Sequence, residues 1–215
     1  MINAYPKRKQ LKGLVFDLDG TLLDSFSAHF EAYRAMFARF GIQISEASFL
    51  ATYSPNWLHT YQAMGLPAEL WATADAYWLE AAEQQKPGLL PGVRETLATL
   101  RNSYKLGLVT SGSKERVLRD LARNQIEAYF GIVITGDDVQ KPKPSPDGLQ
   151  LALRQLGLKT REVVYIGDTD IDCKTAQAAQ VDFIGIPSAF GRLRSDHTIF
   201  KIQTIPDLLE SVGGF

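Results

Sequence analysis

The stretch Gly13-Leu14-Val15-Phe16-Asp17-Leu18-Asp19-Gly20-Thr21-Leu22-Leu23-Asp24-Ser25 decides how this chain reads, because an apolar run ends in two carboxylates set one residue apart. Alternate side chains of a strand share a face, so Asp17 and Asp19 can point the same way. Gly20 lets the backbone turn there and expose its N–H groups. A carboxylate pair so placed can divide labour, one attacking an electrophile while the other moves a proton. An Asp-Gly pair alone signals only a turn after a strand, so the meaning of the two acids rests on the remainder of the chain.

From about residue 90 onward, short apolar runs alternate with helix-length amphipathic stretches. Strands are expected over 105–110, 131–135, 163–167 and 181–186, in addition to 14–17. Helical patterns over 93–101, 114–124 and 147–156 lie between them. This βαβ rhythm predicts an α/β fold, a Rossmann-like parallel sheet with helices on both faces. Such sheets take ligands at the carboxyl ends of their strands.

Residues 24–87 break the rhythm. Helical patterns run over 28–40, 46–51, 57–64 and 67–84, and the segment closes on Lys86-Pro87-Gly88 and Pro91-Gly92. The block reads as an inserted helical domain, 24–87, leaving 1–23 and 88–215 as the core; helices that merely cover the sheet are the alternative. Hinges are expected over 22–26 and 86–92, which join the two parts.

With 215 residues, 45% of them hydrophobic and 22% charged, the chain can bury one substantial core plus an insertion. Lys and Arg total 23 against 24 Asp and Glu, so no broad positive field invites nucleic acid or an anionic membrane. A small ligand is the expected partner; oligomeric state has no signal. Lys7-Arg8-Lys9 reads as a solvated leader, without the apolar segment of a signal peptide. No stretch is long and apolar enough for a membrane span, and a single cysteine, Cys173, makes no internal disulfide; the cytoplasm is the expected location. Cys173 reads as a packed thiol.

Three more strand ends carry chemistry. Leu106-Gly107-Leu108-Val109-Thr110-Ser111-Gly112-Ser113 runs straight into a helix, with Ser113 the natural N-cap. A hydroxyl beside the free N–H groups of a helix start can bind a phosphoryl oxygen. In Gln140-Lys141-Pro142-Lys143-Pro144-Ser145-Pro146-Asp147, Ser145 suits an N-cap and Pro146 the first helical position, which sets Lys143 just before a helix. Val163-Val164-Tyr165-Ile166-Gly167-Asp168-Thr169-Asp170-Ile171-Asp172 again ends a buried strand in acid. Aspartates at the start of the helix 173–179 have a structural explanation in the helix dipole.

In this order, the four stretches resemble the motifs of the haloacid dehalogenase-like superfamily, and residues 13 to about 180 carry the likeness. Members with a helical cap insert it directly after the first motif, where 24–87 lies. The resemblance implies that Asp17 is the nucleophile and Asp19 the acid and base. Thr110 matches the second motif, with Ser111 beside it on the phosphate. Lys143 matches the third in the form Lys-Pro-x-Pro-Asp, and Lys141 is a less complete match. Asp168 and Asp172 match the fourth; Asp170 fits neither position.

Gathering four aspartates at one sheet edge is unfavourable without a cation, and hard oxygen ligands select Mg²⁺. By analogy with the family, its ligands are the Asp17 carboxylate, the Asp19 backbone carbonyl and the Asp168 carboxylate, with Asp172 a supporting partner. The expected activity is a Mg²⁺-dependent phosphatase acting on a small phosphomonoester through an aspartyl-phosphate, similar to phosphoglycolate phosphatases. Asp19 argues against carbon–halogen chemistry. The stretch His29-Phe30-Glu31-Ala32-Tyr33-Arg34-Ala35-Met36-Phe37 is similar to the cap of β-phosphoglucomutases, which makes a phosphosugar mutase the alternative, although the Ser-Arg pair of those caps is missing. A phosphate-binding module without turnover is a third reading. His29 is open between a helix-face residue and a role near the leaving group. Substrate choice is expected from the cap, with Arg34, Tyr53, Asn56, Trp57, His59 and Tyr61 as candidates.

Overall fold

Leu14 and Phe16 turn to one side of the first strand and Val15 to the other, and all three are fully buried, the signature of a strand covered on both faces. The computed structural model describes residues 11–54, 57–190, 193, 198–199 and 201–212. The leader cluster Lys7-Arg8-Lys9 and the candidate Asn56 lie outside the described residues.

The strands are β1 (Gly13–Phe16), β2 (Lys105–Val109), β3 (Ile132–Ile134), β4 (Val163–Gly167) and β5 (Asp182–Gly185). They pair in parallel, in the order β3-β2-β1-β4-β5. The fold is thus the expected α/β, Rossmann-like sheet. The helices α1 (Phe26–Ala38), α2 (Glu46–Thr52), α3 (Trp57–Ala63) and α4 (Trp71–Glu83) precede β2. The later helices are α5 (Val93–Leu100), α6 (Lys114–Arg123), α7 (Asp147–Leu156), α8 (Asp170–Ala179) and α9 (Ile205–Val212).

Two cores sandwich the sheet. On one face Leu14, Phe16, Leu108 and Ile166 meet Val93 and Leu97 of α5, Val117 and Leu121 of α6, and Ile205 and Leu209 of α9. On the other, Val15, Val109 and Tyr165 meet Leu149 and Leu153 of α7 and Ala176 of α8. Cys173 packs beside this second core. A third cluster is built within 24–87 around Tyr33, Met36, Phe37, Phe49 and Tyr61, and one ring from the other part of the chain, Phe190, joins it. The two connecting segments lie side by side: Asp24 N–H donates to Gly88 O (2.9 Å) and Leu90 N–H to Leu22 O (2.9 Å).

Several helix starts differ from expectation. Asp147 opens α7 after an N-cap at Pro146, and the Ser145 hydroxyl donates to the Asp147 carboxylate (2.7 Å) instead of capping. Ser113 occupies the N-cap of α6 without a capping bond, and Asp137 from another segment accepts from the N–H of Lys114, the first helical residue (2.7 Å). α8 begins three residues earlier than 173, since Thr169 and Asp172 form a reciprocal capping box that draws Asp170 into the first turn. The expected helix 67–84 is split into a 3₁₀ turn, Ala68–Leu70, and α4.

Candidate active site

Strands β1 and β4 are neighbours at the point where the sheet order reverses, the crevice where open α/β sheets take ligands. The residues just past their ends are Asp17 to Gly20 and Asp168. Gly20 has φ +76°, and a Cβ there would collide with the Asp168 carboxylate, so two requirements converge on glycine.

Three buried carboxylates, those of Asp17, Asp168 and Asp172, have oxygens within 4.8 Å of one another. The Lys143 ammonium lies between two of them, 2.6 Å from Asp17 Oδ1 and 2.7 Å from Asp172 Oδ1. Lys141, the competing candidate, is exposed. Asp172 is fully engaged: Tyr165 OH donates to Oδ1 (2.9 Å), and the Thr169 hydroxyl (2.6 Å) and N–H (3.1 Å) donate to Oδ2. Asp168 instead receives hydroxyl donors, from Thr21 (3.3 Å) and Ser188.

These environments separate the three acids. Burial pushes Asp17 up to about 7 against the pull of Lys143, and the neighbouring charge of Asp172 adds to the rise. Burial, then the charges of Asp172 and Asp17, raise Asp168 well above the usual carboxylate range. Asp172 is held below that range because, against its own burial, Lys143 and the hydrogen-bond donors prevail. Two acids raised together beside a single ammonium describe a deficit of positive charge. The residues fit a hard divalent cation: Asp17 and Asp168 retain capacity to ligate it, whereas Asp172 serves to fix Lys143.

Asp19 stands apart from this trio. Arg116 of α6 grips both of its oxygens, Nη2 to Oδ2 at 2.6 Å and Nη1 to Oδ1 at 3.1 Å, and His29 Nε2 of α1 donates to Oδ1 at 3.1 Å. Burial raises the Asp19 carboxyl, but Arg116 and His29 outweigh it and hold the group well below the ordinary value. Arg116 also bonds Asp120 (3.2 Å) and is itself buried. The sequence alone does not single out Arg116. In the structure its guanidinium lies against Gly112, where a Cβ would run into it.

Thr110, buried at the end of β2, Ser111, Lys143 and the acids line one cavity of about 360 Å³. The Ser111 and Ser113 hydroxyls are buried there without hydrogen-bond partners, a costly state that a bound oxyanion would relieve. The opposite wall comes from 24–87 and includes His29, Tyr53, Trp57 and Tyr61. Arg34 and His59 do not line the cavity; both are exposed, and Arg34 pairs with Glu31.

A model of the haloacid dehalogenase-like hydrolases matches residues 14–186. The chain is similar to the phosphoglycolate phosphatase of Yersinia pestis, 32% identical over 96% of this chain and 95% of that protein. It is similar to a crystal structure from Lactobacillus plantarum (26% identity, 93% of this chain, 99% of that one, TM-score 0.84). A hydrolase of the same superfamily from Geobacter sulfurreducens is also similar in structure (28% identity, 93% of this chain, 100% of that one, TM-score 0.71).

Proposed function

The chain belongs to the haloacid dehalogenase-like hydrolases and is a phosphoric monoester hydrolase, and from that premise we propose a Mg²⁺-dependent phosphatase of a small phosphorylated metabolite, working through an aspartyl-phosphate on Asp17. The observation that carries this reading is the buried Asp17 carboxylate, set between Lys143 and Asp168 in one cavity with unpartnered Ser111 and Ser113 hydroxyls.

In the first step an Asp17 oxygen bonds to phosphorus, the bond from phosphorus to the leaving oxygen breaks, and that oxygen takes a proton from Asp19. In the second, water attacks phosphorus, gives a proton to Asp19, and phosphate leaves with Asp17 restored. Thr110, Ser111 and Lys143 stabilise charge on the phosphoryl oxygens, effects worth several kcal/mol where donors are fixed beforehand, roughly 3–4 per donor. Mg²⁺ held by Asp17, Asp168 and the Asp19 carbonyl would neutralise the phosphoryl group and the clustered acids. Asp172 keeps Lys143 in place. Arg116 and His29 hold Asp19 ionised, the form that can accept a proton in the second step, and release from Arg116 would raise its proton affinity. To act as acid in the first, Asp19 must turn from Arg116 toward the leaving oxygen.

Residues 24–87 act in this reading as a cap over the site, moving on hinges in 22–26 and 86–92; their separate core and paired connectors support it. A mutase must hold a second phosphate in the cap, and the described cap residues lining the cavity include no Lys or Arg. This favours hydrolysis. Among the described residues, no helix is long and apolar enough to cross a membrane.

The test is phosphate release from a panel of phosphomonoesters with Mg²⁺ and after chelation. Release that appears with Mg²⁺ and stops on chelation supports the reading. Release indifferent to chelation removes the metal, and binding of phosphate esters with no release under any condition would leave a binding module.

A further inference from the structure

The cap side of the cavity has a chemistry unlike that of the phosphoryl side. Tyr33, Tyr53, Trp57, Tyr61 and Trp78 supply aromatic walls, and one charged group stands among them, Asp75, which accepts from the Tyr61 hydroxyl (2.9 Å). Asp75 is half-buried. Trp78, in edge contact with His29 (5.7 Å between ring centres) and tilted against Tyr33 (5.8 Å), has a buried indole N–H that meets no acceptor. Arg116, which lines the cavity from α6 and not from the cap, bonds Asp19 and Asp120 through its Nη atoms, and its buried Nε–H meets no partner.

Each feature removes a class of leaving group. A carboxylate or second phosphate would be brought beside Asp75 and Asp19 with no described cation in the cap wall to meet it, and an unpaired charge in an enclosed site is strongly unfavourable. A quaternary ammonium would suit the rings and Asp75, but it has no acceptor for the Trp78 N–H. An uncharged ring suits Trp78 and Asp75 together: its face lies on aromatic side chains, an oxygen accepts from Trp78, and a hydroxyl or N–H donates to Asp75. The volume, about 360 Å³, is of the size that encloses such a molecule along with its phosphate.

We propose, resting on the phosphatase reading above, that the substrate is the phosphate ester of an uncharged ring-bearing alcohol, recognised by Trp78 and Asp75, and not a phosphorylated acid. Two sources share this chemistry, a sugar and a nucleoside.

The experiment measures kcat/KM of the whole protein with Mg²⁺ on acetyl phosphate, phosphoglycolate, phosphocholine, glucose 6-phosphate and uridine 5′-monophosphate. Acetyl phosphate carries no ring and reports on the phosphatase reading alone; if neither it nor any ester is turned over, that reading falls and the proposal with it. If phosphate is released, glucose 6-phosphate or uridine 5′-monophosphate should lead phosphoglycolate and phosphocholine by about tenfold or more, a difference of roughly 1.4 kcal/mol. The leader of the two identifies sugar or nucleoside. A ranking led or matched by phosphoglycolate or phosphocholine overturns the proposal and leaves the phosphatase reading standing. Trp78→Phe keeps the ring and removes the donor, so KM for the preferred ester should rise roughly three- to tenfold with kcat nearly kept. Asp75→Asn should raise the ratio of phosphoglycolate to ring-ester turnover by about tenfold. Both parameters unmoved in the two variants would refute the roles of Trp78 and Asp75, and if either variant fails to fold the wild-type ranking decides.

Discussion

Arg116 joins two carboxylates that would otherwise be stranded, Asp19 from the loop after β1 and Asp120 one turn farther along α6. Removing one partner from a buried pair leaves the other charge uncompensated, so Arg116→Ala should lower stability by about 3–5 kcal/mol in chemical denaturation. A loss near zero would mean that the pair is solvated in the working protein. Asp19 was legible because two acids at the end of an apolar run have few structural uses. Arg116 was not, because α6 carries several basic residues in one short helix and periodicity does not say which turns inward. Gly112 marks it only once the guanidinium is seen passing over its Cα. Lys143 could be preferred to Lys141 by motif alone, and the reason for its burial, two carboxylates more than a hundred and about thirty residues apart along the chain from it respectively, is visible only in the fold.

At the scale of elements, the joint between residues 24–87 and the sheet side of the chain combines polar contacts, His29 with Asp19 and Arg119 with Glu83, with one aromatic ring. Phe190 lies in the segment after β5 and packs on Phe26 (5.4 Å), His29 (5.3 Å) and Tyr53 (4.8 Å) of the other part. Phe190→Ala should cost about 3–5 kcal/mol if the joint stays closed in solution, and a smaller loss, with faster proteolysis of 24–87, if it opens. No loss in melting temperature would contradict this packing. The helices of 24–87 were readable from their period, and their grouping into a core of their own rests on long-range contacts. The helix α9 was not legible because Pro206 near its start resembles a turn signal, although the first turn of a helix tolerates proline.

For the whole molecule, the raised acids make stability depend on pH in a defined direction. Asp17 and Asp168 hold protons in the folded protein at a pH where the unfolded chain has lost them, so without metal the protein should lose stability as pH climbs from about 4 toward 7. Asp19 and Asp172, held low, act oppositely and only below about 4, where the stability they confer disappears as they protonate. Mg²⁺ should flatten the loss between about 5 and 7, because a bound cation holds the acids ionised. Thermal melts across that range with and without Mg²⁺ check the sign; identical slopes would contradict the metal reading. The parallel sheet was legible from the alternation of strands and helices, whereas its order, which brings β1 beside β4 and so Asp17 beside Asp168, depends on pairing between strands about 150 residues apart.

The proposed reaction is covalent, with the phosphoryl group passing to Asp17. Acid-quenched mass spectrometry of the protein during turnover with Mg²⁺ should find a phosphoryl group on the peptide containing Asp17, and none in Asp17→Asn, which should also release no phosphate. Full turnover by Asp17→Asn, with no adduct at residue 17 in the wild type, would contradict the account.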